Sequence, residues 1–201
     1  MRLTASGLGC STWPQCEPGE FTPTFHDATT LHPFIEFGNR VLTGVLLVIA
    51  VALAIAVWRA RPGLKWWGIV PGIGVLAQAV LRGIVVIFEL DPVLVGVHML
   101  ISAALVWFSV YLALRVRDAP RRDGAPATWL MRFFGASLVA VVVVGVLTTG
   151  AGPHSGDIHA NDRLALDPAL VARVHAATVW VFIALLVALI VRVRHDVSQG
   201  P

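Results

Sequence analysis

The chain has 201 residues, 57% of them hydrophobic and only 13% charged, with a formal net charge of +3. A soluble domain of this size carries about a quarter charged residues, so that class is excluded. The basic excess suggests nucleic acid at first sight, but the cations sit in short clusters between long apolar runs, as on the loops of a membrane protein, and no nucleic-acid partner is expected.

The N-terminal stretch, residues 1–32, is polar and has no signal-peptide pattern. It holds both cysteines, Cys10 and Cys16, with five residues between them. In an oxidising compartment the pair favours a disulfide, with two free thiols or a poor two-ligand metal pair as the alternatives.

Five apolar runs follow, each long enough to cross a hydrocarbon core that takes roughly 20 helical residues. They predict spans at about 33–58, 66–88, 92–115, 129–149 and 168–191. Pro33, Pro92 and Pro168 stand where a first helical turn tolerates a missing N–H. The expected fold class is therefore all-α, a polytopic transmembrane bundle.

Ten of the fifteen basic residues fall on one side of these spans: Arg59, Arg61, Lys65, Arg115, Arg117, Arg121, Arg122, Arg132, Arg192 and Arg194. That side reads as cytoplasmic, which puts the N-terminal segment outside and the C-terminus inside. No span or signal precedes the N-terminal segment to carry it across, which leads us to expect a further helix upstream.

Asn39, His98 and His175 lie six, six and seven residues after Pro33, Pro92 and Pro168. At 1.5 Å per residue each is about 9–10 Å below its helix start, so the three share one layer. A lone histidine in an apolar helix is usually a packing residue. Two at matched depth make a haem or metal site between helices an equal alternative.

Glu36, Asn39 and Arg40 stand at i, i+3 and i+4 on one helix face. Glu36 either forms an ion pair with Arg40 or projects into the cavity of His98. Arg82, also embedded, pairs with Glu36, meets an anionic ligand group, or snorkels to the surface. His26, His32, His154 and His159 read as solvated loop residues.

The chain also echoes itself: "LTASGLGC" (3–10) resembles "LTTGAGPH" (147–154), and the helix after each places His175 opposite Asn39. In that repeat the partner of His175 falls beyond Pro201, so the sequence reads as the middle of a longer protein.

The pieces "RLTASGLGCSTWPQC", "HPFIEFGNRVLTG", "AQAVLRG" (77–83), "LDPVLVGVHMLIS" (90–102) and "TTGAGPHSGD" (148–157) together resemble haem A synthase, the membrane enzyme that converts haem O to haem A. The resemblance implies an eight-helix, pseudo-twofold duplicated fold. Residues 33–117 would be helices two to four of a substrate-haem half, and 118–201 helices five and six of a haem B half. It implies haem B as cofactor and haem O as substrate, delivered by haem O synthase, for cytochrome oxidase assembly in the plasma membrane. The electron acceptor stays unidentified and a homo-oligomer stays open.

By position, His98 matches the substrate-side iron ligand, His175 the haem B ligand, Glu36 the catalytic carboxylate, and Cys10 with Cys16 a pair that forms a disulfide. Arg40 is the partner of Glu36 or a propionate contact. Two departures stand out. Asn39 occupies a position where the family commonly has His, and Arg82-Gly83 replaces a usual Gly pair. A b-type electron carrier, or a truncated chain without activity, are the competing readings.

An amide is a poor iron ligand beside imidazole. Asn39→His is therefore expected to move the absorption spectrum of bound haem toward the bis-imidazole form; an unchanged spectrum would show that position 39 does not face the iron.

Overall fold

A computed structural model describes residues 10, 12–23, 31–117, 128–153 and 162–198, with no side-chain detail at 32, 128 and 196–198. Among the described residues the fold is all-helical, apart from an isolated bridge between Glu17 and Glu20. The helices are α1 (His32–Ala60), α2 (Lys65–Ile87), α3 (Pro92–Val116), α4 (Thr128–Ala151) and α5 (Pro168–Ser198). All five are long and apolar enough to cross a membrane, which makes the chain a multi-pass membrane protein.

The expected spans hold, with longer ends. α5 runs through Ser198 rather than stopping near Val191, because its C-terminal turns are charged and need no hydrocarbon to stay helical. Pro33 and Pro92 lie in the first turns of α1 and α3 as the sequence suggests. Asp91 caps α3, its side chain accepting from Val93 N at 2.9 Å and Leu94 N at 3.0 Å. Pro71 sits inside α2, where it removes one backbone donor.

The helices pack in chain order, α1 on α2, α2 on α3, α3 on α4 and α4 on α5. A single 3₁₀ turn, Pro62–Leu64, joins α1 to α2. The α2–α3 link is as short. Glu89 and Leu90 take φ of 48° and 65°, and Leu90 N donates to Val85 O at 2.9 Å, closing the end of α2. Leu90 is fully buried against Val85, Leu94 and Val95, and that burial holds a left-handed conformation that glycine would adopt more easily.

Close approach along the bundle relies on small residues, the usual device where lipid removes the hydrophobic drive between helices. A Cβ on Gly68 would stand 2.9 Å from Val57 Cβ, and one on Gly96 would stand 2.8 Å from Val146 Cγ1. Gly96→Ile therefore has to wedge α3 from α4. The expected cost is about 1–3 kcal/mol, read as a lowered melting temperature in detergent, and an unchanged transition would contradict this packing.

Candidate functional site

At the N-terminal end of α1, Glu36 is fully buried. Its Oε1 accepts from Arg40 Nη2 at 3.0 Å and lies 3.4 Å from Arg82 Nη2. Its Oε2 accepts from the Cys10 main-chain N–H at 3.0 Å. Arg40 comes from one turn further along the same helix, as its i+4 spacing requires, whereas Arg82 reaches across from α2. Both carboxylate oxygens are thus engaged by N–H donors, two of them cationic.

Arg40 does more than pair with Glu36. Its Nη1 donates to Pro14 O at 3.1 Å and Gln15 O at 2.9 Å, and its Nη2 to Thr12 O at 3.0 Å. Those carbonyls belong to the loop closed by the Cys10–Cys16 disulfide, whose S–S distance is 2.09 Å. The Trp13 ring rests directly on Gly83 of α2, where a Cβ would come within 2.6 Å of it. Gly83 is thereby the seat of an aromatic side chain, and its neighbour Arg82 is the second guanidinium of the cluster.

His98 on α3 is tied to the helix that bears Arg82. Its Nδ1 is buried and has no hydrogen-bond partner among the described residues. Gln78 of α2 donates to the His98 carbonyl at 2.9 Å and also to Ser102 Oγ. Gln78 lies within the "AQAVLRG" stretch, yet sequence reading assigned it no role. Its i+4 spacing from Arg82 was the available signal.

His175 on α5 faces a different space. An apolar cavity of about 490 Å³ opens between α3, α4 and α5, with Val95, Gly96, Met99, Val142 and Gly145 among its walls and His175 beside them. Gly145 makes room for the imidazole, since a Cβ there would stand 3.1 Å from His175 Cε1. His175 Nδ1 is likewise buried and unpartnered among the described residues. His98 is not among the residues that line this cavity, so the structure does not bring the two imidazoles together across it.

The remaining candidates are simply placed. Asn39 is exposed on α1, outside the Glu36 cluster. His26, His154 and His159 lie outside the described residues, and His32 begins α1. Among the described residues no group of three or more His, Cys, Asp or Glu gathers as a metal site.

Residues 1–199 match the COX15-CtaA family, described as cytochrome oxidase assembly protein. The chain belongs to that family. It is 33% identical to a haem A synthase of Bacillus pumilus over 60% of this chain and 39% of the relative. It is 30% identical to one of Exiguobacterium sibiricum over 70% of this chain and 48% of the relative. With one of Bacillus licheniformis it shares 26% identity over 74% of this chain and 49% of the relative. The chain thus spans about half the length of these curated relatives or less. No solved structure matches it significantly.

Arg40 ties three loop carbonyls to a buried carboxylate. Arg40→Ala is expected to loosen the Cys10–Cys16 loop by about 1.5–3 kcal/mol, seen as faster reduction of the disulfide by added thiol. Wild-type reduction kinetics would show that the loop is held by other means.

Proposed function

We propose that this chain acts in haem A biosynthesis, oxidising a ring methyl of haem O to a formyl group through hydroxylated intermediates and loss of water, a four-electron change whose electrons pass to an external electron acceptor. The observation that carries the reading is the buried Glu36–Arg82 pair, with His98 tied through Gln78 to the helix that bears Arg82, in a chain of this family. His98 would hold the iron of the substrate through its imidazole. Its unpartnered Nδ1 is the atom a ligating histidine turns to an outer acceptor. Apolar helix faces supply affinity for the porphyrin and its farnesyl tail.

Glu36 is the residue we assign to the chemistry. With two guanidiniums and a main-chain N–H on its oxygens, Glu36 sits in a cluster of net positive charge. It meets developing positive charge at the reacting methyl carbon, or takes a proton from it, only by releasing one of those partners. Arg40 holds Glu36 in place, since its guanidinium is committed to Glu36 and to the loop carbonyls, and it is less suited to a propionate. Asn39 adds no strong iron ligand, which leaves His98 as the substrate's axial ligand from these helices.

His175 fits a resident haem B. It combines a buried, unpartnered Nδ1 with an apolar cavity and a glycine opposite the ring. When bound, that group supplies one-electron transfer. Apolar residues of α3 and α4 line the space around it. In this reading residues 33–117 form part of the substrate half and 118–201 part of the haem B half. The Glu36 end faces outward from the plasma membrane, and haem O arrives from haem O synthase. A b-type carrier would use the same two histidines. The charged cluster of Glu36, Arg40 and Arg82 is what favours chemistry on the porphyrin.

Co-expression of the intact protein with haem O synthase tests the proposal by chromatography of extracted haems. Wild type is expected to yield haem A, and Glu36→Gln to lower the yield about 10²–10³-fold while haem stays bound. Haem O accumulating unchanged in the wild type, with bound haem still visible, would favour the carrier. Full conversion by Glu36→Gln would remove Glu36 from the chemistry.

A further inference from the structure

On α2, Gly74, Gln78 and Arg82 recur every four residues and share one face. Each engages a different neighbour. Gly74 lies directly against the Leu105 side chain, which sets the α2–α3 separation one turn from Gln78. Arg82 reaches Glu36. Between them, Gln78 Nε2 donates to the His98 carbonyl at 2.9 Å.

The same carbonyl accepts from the Ser102 hydroxyl at 2.8 Å, and Gln78 also donates to that hydroxyl oxygen. A carbonyl within a helix already has its i+4 main-chain donor, so two further side-chain donors are not needed to satisfy it. They tie α2 to α3 at the level of one imidazole. Because both neighbours of the Gln78 amide nitrogen are acceptors, its oxygen must point elsewhere. That oxygen is buried and unpartnered among the described residues, and so is His98 Nδ1.

We propose that Gln78 is the positioning residue of His98. Its amide nitrogen fixes the His98 main chain, and its amide oxygen accepts the Nδ1–H when Nε2 faces the iron. This rests on the reading of His98 as an iron ligand, and it adds the outer acceptor that a ligating histidine normally has.

The test uses the intact protein carrying His175→Ala, so that only the His98 surface reports, with ferric protoporphyrin IX haem as probe in detergent. Affinity is followed by absorption titration and axial ligation by electron paramagnetic resonance. Gln78→Met, similar in size but without hydrogen bonds, is expected to weaken binding about 10–100-fold and to change the resonance signal of the ferric iron. Gln78→Asn, one methylene shorter, is expected to move both readouts the same way and serves if the Met variant loses helical content. Ser102→Ala keeps the Gln78–His98 bond and is expected to stay close to wild type.

Wild-type affinity and signal in both Gln78 variants would overturn the proposal. So would a Ser102→Ala effect as large as that of Gln78→Met, which would assign the change to packing within α3. A His98→Ala arm separates the two claims. If His98→Ala alone loses the signal, only the role of Gln78 falls. If His98→Ala also binds as wild type, the ligand reading itself falls.

Discussion

A carboxylate buried among membrane-spanning helices must find its counter-charges within the protein, because neither lipid nor water is there to supply them. Glu36 finds two, Arg40 from its own helix and Arg82 from the next, and a main-chain N–H from Cys10. Much of the described architecture around it follows from that need. α2 must stand where Arg82 reaches α1, and the disulfide-closed segment must lie across the helix ends so that Cys10 and the Arg40-bound carbonyls are in place. Removing one partner of such a cluster leaves an uncompensated buried charge, which is more costly than the net stabilisation the cluster provides. A charged group so placed therefore points to a use beyond stability.

α2 is the element that converts this cluster into a site. One face of it sets the distance to α3 at Gly74, fixes the His98 main chain at Gln78, and delivers the guanidinium of Arg82 to Glu36. The next residue, Gly83, seats Trp13 of the N-terminal segment. The short turn through Glu89 and Leu90 keeps α2 and α3 adjacent at this level, so a carboxylate on α1 and an imidazole on α3 are related through a single helix between them. Another face of α3, with Val95, Gly96 and Met99, lines the cavity of His175.

The five spans were legible because hydrocarbon thickness fixes helix length, and hydropathy reports it directly. The Glu36–Arg40 pair was legible because i, i+4 contacts are local. Arg82 was recognised as embedded, but the choice among Glu36, a ligand and the surface depends on the rotation of α2 against α1, which apolar periodicity leaves open. Gln78 was missed for the same reason: its partner is a main-chain carbonyl on another helix, and a carbonyl leaves no mark in a sequence. The turn at Glu89 and Leu90 carries no glycine to announce its positive φ, since burial of Leu90 rather than residue type stabilises it. The two histidines share a depth in the sequence, yet only the packing of the helices shows that His175 and not His98 lines the cavity between α3, α4 and α5.

The central claim is that His98 and His175 hold two different haems, one as substrate and one as resident group. The most direct measurement is the haem content of the intact protein, purified after co-expression with haem O synthase and analysed by chromatography, for His98→Ala and His175→Ala. The account predicts that His98→Ala loses haem O and keeps haem B, and that His175→Ala does the reverse. Loss of both haems together in each variant, with the helical fold intact, would contradict it and return the two histidines to a single site.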